Sequence, residues 1–327
     1  MATYILRRIL FMISAVFIIS VLIFVVIELP PGDYVSRYVI LQEQRGEPVD
    51  QETIENLRRL CRVDKPAFVR YFIWIGRFLG GDLGFSLEYR EPVADVLRTP
   101  FCLTVTVTLM AMLFTLLLAF PIGVYSAIRR HSIGDYFWSA LGLLGLSIPS
   151  FLAALVILFV STKYLNIGLG GLFSRPFEKA PWSFLKLLDL LKHVWIPVIM
   201  VGTATTAGLI RTFRARLVAE LKQPYVELAR LKGMKETRLI IRYPLRIAIN
   251  PLVSSIGWIL PALASGTLIT SVVLGLPTAG PIYLQALRAQ DMPLVGAFIL
   301  LVSMLVVAGA LVSEIVLALI DPRFRGE

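Results

Sequence analysis

The sequence is poor in the residues that carry most enzyme chemistry. Its 327 residues include two histidines, His131 and His193, and two cysteines, Cys61 and Cys102. The two histidines are predicted to lie on opposite faces of a membrane, so neither a His-based triad nor a His-rich metal site is available. The chain also lacks a Gly-x-x-x-x-Gly-Lys-Ser/Thr phosphate loop, and we therefore expect that it binds no cofactor and does not hydrolyse ATP itself.

Charge is absent over long parts of the chain. Hydrophobic residues make up 57% of the sequence, which is too apolar for a soluble domain. Six stretches without Asp, Glu, Lys or Arg approach or exceed the ~20 residues that cross a bilayer core. They predict an all-α integral membrane protein with six transmembrane helices. The stretches are Ile9–Ile27, Phe101–Ile128, Phe137–Thr162, Val194–Ile210, Ile247–Leu287 and Pro293–Ser313.

The fifth stretch is longer than one span. We place its span near Leu252–Gly275 and expect Leu276–Leu287 to form a loop or a re-entrant piece. Ionisable residues near the midplane, which would mark a proton or ion pathway, are almost missing from all six stretches. This scarcity argues against an ion-coupled secondary transporter, which stays the alternative from another functional class. A membrane-embedded structural subunit is a further alternative.

The basic residues predict the orientation. The net charge of +10 is concentrated in four short segments, which the positive-inside rule assigns to the cytoplasm together with both termini. Because this excess follows topology, it does not indicate nucleic acid binding. The segments contain Arg7 and Arg8, Arg129 and Arg130, the basic residues from Arg211 to Arg246, and Arg323 with Arg325.

Four regions follow from this topology. Residues 1–28 form an uncleaved anchor helix, 29–97 an extracytoplasmic segment, 98–320 a five-helix transmembrane domain and 321–327 a cytoplasmic tail. Within the outer segment, Thr53–Leu60 and Phe68–Phe78 predict short amphipathic helices, and Gly80–Gly84 predicts a turn. Cys61 and Cys102 would both lie outside the cytoplasm. They could form a disulfide there or stay as two thiols, and the sequence leaves both possibilities open.

A short helix is predicted inside the basic segment 213–246. Pro224 suits a first helical turn, and Gly233 suits the left-handed position just past a helix end. The helix between them is about 13 Å long at ~1.5 Å per residue. A capped cationic helix at the membrane surface is suited to being gripped by another protein.

The chain resembles the membrane-spanning permease subunits of bacterial ABC importers, specifically the dipeptide, oligopeptide and nickel permease family. The resemblance covers essentially the whole chain and depends on several motifs in order. They are Tyr4–Leu10, Pro31–Asp33, Gly80–Ser86, Leu146–Phe151, Tyr225–Gly233 with its Glu-Leu-Ala and final Gly, and Leu319–Arg323. This family has the type I importer (MetI-like) core and sits in the bacterial cytoplasmic membrane.

The resemblance also implies partners and a mechanism. These are a second homologous permease in a heterodimer, two cytoplasmic ATPase subunits that carry ATP and Mg²⁺, and an extracytoplasmic substrate-binding protein. The cargo would be peptides, while oligosaccharides or nickel stay open. The implied ATPase-coupling residues are Tyr225, Glu227, Leu228, Ala229, Arg230 and Gly233. For Glu227 and Arg230, an ordinary i,i+3 ion pair on a solvated face is the alternative.

A translocation path would need polar or helix-breaking residues within the spans. The candidates have a second interpretation, because hydroxyl groups also join helices in membranes and prolines there often serve packing alone. The candidate residues are Ser147, Pro149, Ser150, Thr203, Thr206 and Ser265.

Overall fold

The structure, a computed structural model, describes residues 2–29, 34–44, 46, 49–61, 65–165, 170–178 and 180–320. The Pro31–Asp33 motif, the end of the Leu319–Arg323 motif and the predicted tail 321–327 lie outside the described residues. The amino-terminal part contains α1 (Ala2–Glu28), α2 (Tyr34–Gln44), α3 (Gln51–Cys61), α4 (Ala67–Leu79), β1 (Phe85–Ser86), β2 (Glu91–Pro92) and α5 (Val93–Ile128).

The middle of the chain contains α6 (Ile133–Ser147), α7 (Ser150–Val160) with a π-helical turn (Ser161–Leu165), α8 (Arg175–Glu178), α9 (Phe184–Leu221), α10 (Pro224–Leu231) and α11 (Glu236–Arg242). The last part contains α12 (Pro244–Ala248), α13 (Asn250–Ser254), α14 (Ile256–Val273), α15 (Ala279–Arg288) and α16 (Met292–Ile320). The chain divides into two compact units, one of 7–103 and 278–307, the other of 1–6, 104–277 and 308–327.

Four helices of the described residues are long and apolar enough to cross a membrane. They agree with the first, second, fifth and sixth predicted spans. A bent helix pair passes the same test together, which gives up to five spans. The four helices are Tyr4–Glu28, Val93–Ile128, Ile256–Val273 and Met292–Ile320.

The predicted third span, over 137–162, is broken in the structure, and whether the bent pair is one span stays a prediction. The stretch is broken into α6 and α7, whose axes are bent by 97°. Pro149 causes the break, because its ring disfavours the helical conformation of the residue before it. Ile148 is accordingly extended, with φ −99° and ψ 118°, and α7 begins directly after Pro149.

The predicted span 194–210 lies inside α9, a helix of 38 residues that is not among the spans identified by length and composition. Helix α9 packs against α6, α7 and α12–α14, and Leu209, Phe213 and Leu217 are among its most buried side chains. It is thus the central helix of its unit. A count of six spans stays a prediction.

The smaller unit confirms several predictions for the outer segment. The two amphipathic helices are α3 and α4, and the Gly80–Gly84 turn contains Gly81 and Gly84 at positive φ. After this turn, β1 and β2 form a short antiparallel hairpin. Ser86 donates a 2.5 Å hydrogen bond to the buried Asp291, and burial raises the pKa of that carboxyl group. The hairpin is therefore joined to the start of α16.

Two further expectations can be compared with the structure. Most of Leu276–Leu287 is helical, as α15, rather than an irregular loop. Gly275, at φ +60°, follows the end of α14. Cys102 is exposed on α5, and the side chain of Cys61 lies outside the described ones, so a disulfide and two thiols both stay open.

Candidate coupling site

Helix α10 has the ends that the sequence predicts. Pro224 occupies its first turn, where the missing N–H is not needed. Beyond its last residue, Gly233 adopts φ +78°. The Gly233 N–H donates to the carbonyl of Arg230 at 3.0 Å, and the Met234 N–H donates to the carbonyl of Ala229 at 3.3 Å. These two bonds form a Schellman motif, which satisfies the terminal carbonyls and requires a left-handed residue.

Helices α10 and α11 share a small apolar core. Val226 and Ala229 of α10 are buried against Leu239 and Ile240 of α11. Leu221, Tyr225, Met234 and Leu245 pack around this cluster and are partly buried. A helix of eight residues is not stable alone in water, so we attribute the fixed shape of α10 to this packing and to its capped end.

The opposite face of α10 is open. Leu228 is 55% exposed and Leu231 is 80% exposed, and Glu227 is exposed beside them. The two leucines are three residues apart, so they lie on one side of the helix. The result is a small apolar surface with charged residues at its edge, at the end of a helical hairpin.

A buried carboxylate joins α10 to α9. Glu220, near the end of α9, is only 6% exposed. It accepts a 2.8 Å hydrogen bond from the Tyr225 hydroxyl and forms a 3.0 Å ion pair with Arg216. Burial, together with this hydrogen bond, raises the pKa of Tyr225 to about 12. Tyr225 is protonated at physiological pH, as an ordinary tyrosine is, and its hydroxyl is the donor to Glu220.

A second ion pair joins α10 to α11. Arg230 donates to Glu236 at 2.6 Å and 3.1 Å, and this bond lowers the pKa of Glu236. Both side chains are about half exposed, so the pair adds little stability. It gives Arg230 a hydrogen-bonded partner on α11, in addition to the electrostatic attraction of Glu227.

The structure thus separates the predicted coupling residues into two groups. Leu228 and Glu227 are on the open face, whereas Ala229 is buried and Tyr225 is turned toward Glu220. A direct ATPase contact for each of the six residues stays a prediction. Sequence reasoning missed Leu231, whose spacing from Leu228 was available, and Glu220, whose role depends on the turn between α9 and α10.

Loss of the Tyr225 hydroxyl should loosen α10 without unfolding it. A hydrogen bond to a charged group contributes about 1.5–3 kcal/mol, so Tyr225→Phe should raise the local opening constant of α10 by roughly ten- to a hundredfold. Amide hydrogen exchange within 224–231 of the purified complex measures this change. Tyr243→Phe is the matched control, because the centroid of the Tyr243 ring lies 6.5 Å from that of the Tyr225 ring. This variant should leave the exchange unchanged. Equal exchange in the two variants would contradict the role given to the Glu220 bond.

A buried ion pair fixes α6 to α9 on the same side of the unit as α10. Arg214 donates to both carboxylate oxygens of Asp135, at 2.8 Å and 2.6 Å. Asp135 is almost completely buried, and it also accepts a hydrogen bond from the backbone of His131. Bidentate arginine–carboxylate pairs combine strength with a defined geometry. Sequence reasoning did not find this pair, because its members are far apart in the chain.

Five of the predicted path residues lie on α6, α7, α9 and α14, and Pro149 lies between α6 and α7. Thr206 is buried and bonds to Thr115 at 3.2 Å and to the Gly202 carbonyl at 2.7 Å, which fits the alternative role of joining helices. Ser147 is exposed and bonds within its own helix at 2.8 Å. Pro149 and Ser265 are exposed, whereas Ser150 and Thr203 are half-buried. A path role for these residues stays a prediction.

Helices pack closely around Thr203 and Thr115. A side chain at Gly145 of α6 would come within 2.9 Å of Thr203. One at Gly202 of α9 would come within 2.7 Å of Phe114 and 3.3 Å of Thr115. Glycine at both positions lets α9 approach its neighbours closely, as small residues do at helix contacts in membranes.

Comparison with known proteins gives relatives along the whole chain. The permease AppB of the oligopeptide transport system of Bacillus subtilis (strain 168) is 29% identical over 326 residues, which cover 99% of this chain and 100% of that protein. A putative peptide permease of Brucella ovis is 29% identical over 327 residues, 99% of each chain. The permease GsiC of the glutathione transport system of Escherichia coli (strain K12) is 28% identical over 325 residues, again 99% of each.

One sequence family matches more than half of the chain. Its description is "binding-protein-dependent transport system inner membrane component", and the match covers residues 119–326. These residues include α10, its Schellman end and the three ion pairs described above. The chain therefore belongs to the family of inner membrane components of binding-protein-dependent transport systems.

Proposed function

We propose that the chain is the membrane-spanning permease subunit of an ATP-driven importer that carries peptides. The substrate class comes from the relatives, whose names describe oligopeptide, peptide and glutathione transport. The observation that carries the coupling role is the open apolar face of α10, with Leu228 and Leu231 exposed on a helix whose other face is packed.

The proposed assembly has several subunits. A homologous companion permease and this chain would enclose the path, and two ATPase subunits would bind ATP and Mg²⁺ at the cytoplasmic face. A substrate-binding protein would deliver cargo to the outer face, with residues 29–97 as a contact region. This chain would contribute six spans with both termini inside, and it would neither bind a nucleotide nor catalyse a reaction.

The contacts of α10 suggest how movement would reach the membrane. An ATPase that grips Leu228 and Leu231 would move the α10–α11 hairpin as one body, because the two helices share a core. The Tyr225–Glu220 bond would pass this movement to α9. The Arg214–Asp135 pair would then pass it from α9 to α6, at the start of the bent pair. Energy would thus arrive as a rigid-body displacement between two states.

Reconstitution tests this function directly. Vesicles that contain the permease pair, the ATPases and the binding protein should accumulate a labelled peptide when ATP is supplied on the face that carries α10. ATP on the opposite face should have no effect, since it cannot reach the ATPases. Vesicles that contain the permease alone should not accumulate the peptide. Uptake by the permease alone on an ion gradient would overturn the proposal and favour a secondary transporter.

A further inference from the structure

Helix α4 of the outer segment contacts α1 through an aromatic cluster. The Tyr71 ring lies 6.3 Å from Phe17 and 5.5 Å from Phe24, between ring centroids. Its hydroxyl is 2.8 Å from the Ser20 hydroxyl in a buried pair, and Trp74 lies 6.0 Å from Phe24. Helix α4 is therefore held against the carboxyl-terminal half of α1, a helix long and apolar enough to span a membrane.

The contacts also define which way α4 is turned. Arg70 forms a 2.6 Å ion pair with Glu28, the last residue of α1. Its neighbour Tyr71 contacts Ser20. Ser20 lies about 12 Å from Glu28 toward the amino terminus of α1, at ~1.5 Å per residue. The Arg70 side of α4 thus points to the end of α1, and the Tyr71 side points toward the middle of the span.

An apolar row on α4 lies beyond Tyr71 in that same direction. Phe68, Phe72 and Leu79 are 66%, 63% and 78% exposed, and Ile75 between them is half-buried. Their spacing puts them in one row along a helix. At about 100° per residue this row is roughly 70° from Tyr71 and nearly opposite Arg70 and Arg77. The exposed row therefore faces the middle of the span, and the arginines face its end.

We propose that α4 lies in the outer leaflet of the membrane, with Phe68, Phe72 and Leu79 among the acyl chains of the lipids. A helix at an interface carries charge on one face and large apolar residues on the other, and it sinks about 5–10 Å into the leaflet. Both features are present, and the contacts with α1 put α4 at that depth. Burying each large apolar side chain among acyl chains stabilises this position.

The surface of α1 beside α4 supports lipid as the occupant. Leu22, Val25 and Val26 of α1 are 59%, 50% and 58% exposed, so the apolar row of α4 continues the apolar outer surface of a spanning helix. Arg77 on the opposite face pairs with Asp82 at 2.8 Å. This pair joins the charged side of α4 to the Gly80–Gly84 turn, which the proposal puts at the level of the headgroups.

Site-directed spin labelling of the assembled transporter in lipid nanodiscs tests the proposal. In a Cys61→Ser, Cys102→Ser background, labels are attached to Phe72→Cys, Leu79→Cys and Arg77→Cys, with Leu22→Cys as the reference in α1. Accessibility to oxygen, which concentrates in lipid, is compared with accessibility to a water-soluble nickel chelate. We expect the labels at 72 and 79 to match the Leu22 reference, with an oxygen-to-chelate ratio severalfold above that of the Arg77 label.

Two results would overturn the proposal. Chelate accessibility at 72 and 79 equal to that at 77 would mean that the apolar row is in water. Low accessibility to both reagents at 72 and 79 would mean that protein covers the row, with the companion permease as the candidate. Peptide uptake by the same labelled complexes, measured in parallel, verifies that each variant is folded. The accessibility result stands independently of which cargo is transported.

Discussion

Replacing Leu228 and Leu231 together by aspartate should abolish coupling to the ATPase while the subunit stays in the membrane. Each leucine is mostly exposed in the isolated chain, and its burial in a partner's groove would contribute about 1.5–3 kcal/mol. Loss of both, with two like charges introduced, should weaken ATPase binding by at least a hundredfold. Peptide uptake should fall to background. Co-purification of the ATPase subunits and uptake by membrane vesicles are the two measurements.

A matched control separates docking from a general surface effect. Ile133, at the start of α6, is 90% exposed and belongs to a different part of the same unit. Ile133→Asp adds a charge at an equally open apolar position and should leave ATPase binding intact. If the α10 double variant retains both ATPase binding and uptake, the open face of α10 is not the coupling surface.

Replacing Gly233 by valine should lower uptake by roughly tenfold through backbone strain. Gly233 adopts φ +78°, and a β-branched residue is a genuine outlier at positive φ. Such strain costs on the order of 1–3 kcal/mol. It would open the Schellman end of α10 and release the hairpin from its fixed orientation. Uptake and ATPase retention, normalised to the amount of inserted subunit, measure the effect.

The structure supplies a discriminating control at the same position. Apart from its two chain neighbours, no atom of the described residues lies within 4 Å of a Cβ at Gly233, so the first atom of a side chain meets no clash in that part of the chain. Asparagine tolerates the left-handed conformation far better than valine does. Gly233→Asn should therefore retain most of the uptake. Equal loss in the asparagine and valine variants would indicate that the space around Gly233 is needed for docking, and that strain is not the cause.

The ends of α10 could be predicted because the signals are local. Pro224 fits a first turn for covalent reasons, and Gly233 fits a left-handed end because it has no Cβ. Four of the spans could be predicted equally well, since an uncharged apolar run of sufficient length has few stable environments other than a membrane. Both kinds of signal depend only on the residues themselves and on their immediate neighbours.

The faces of α10 could not be predicted in the same way. Ala229 and Tyr225 belong to the same family motif as Leu228. However, Ala229 is buried against α11, and the Tyr225 hydroxyl bonds to Glu220. Arg230 forms its ion pair with Glu236 of α11, six residues away in the chain. Which side of a short helix is buried depends on the element that folds back against it, and α11 does so only because the chain turns at Gly233.

The sequence by itself determined the class of the protein, its apolar spans and the capped helix, because hydropathy and helix ends are properties of short segments. The tertiary structure alone decided the 97° bend between α6 and α7, the Asp135–Arg214 pair and the orientation of α4 on α1. These features join residues that are distant in the chain or depend on the angle between helices. Their positions are set by packing and by the pairing of buried charges, which no local pattern encodes.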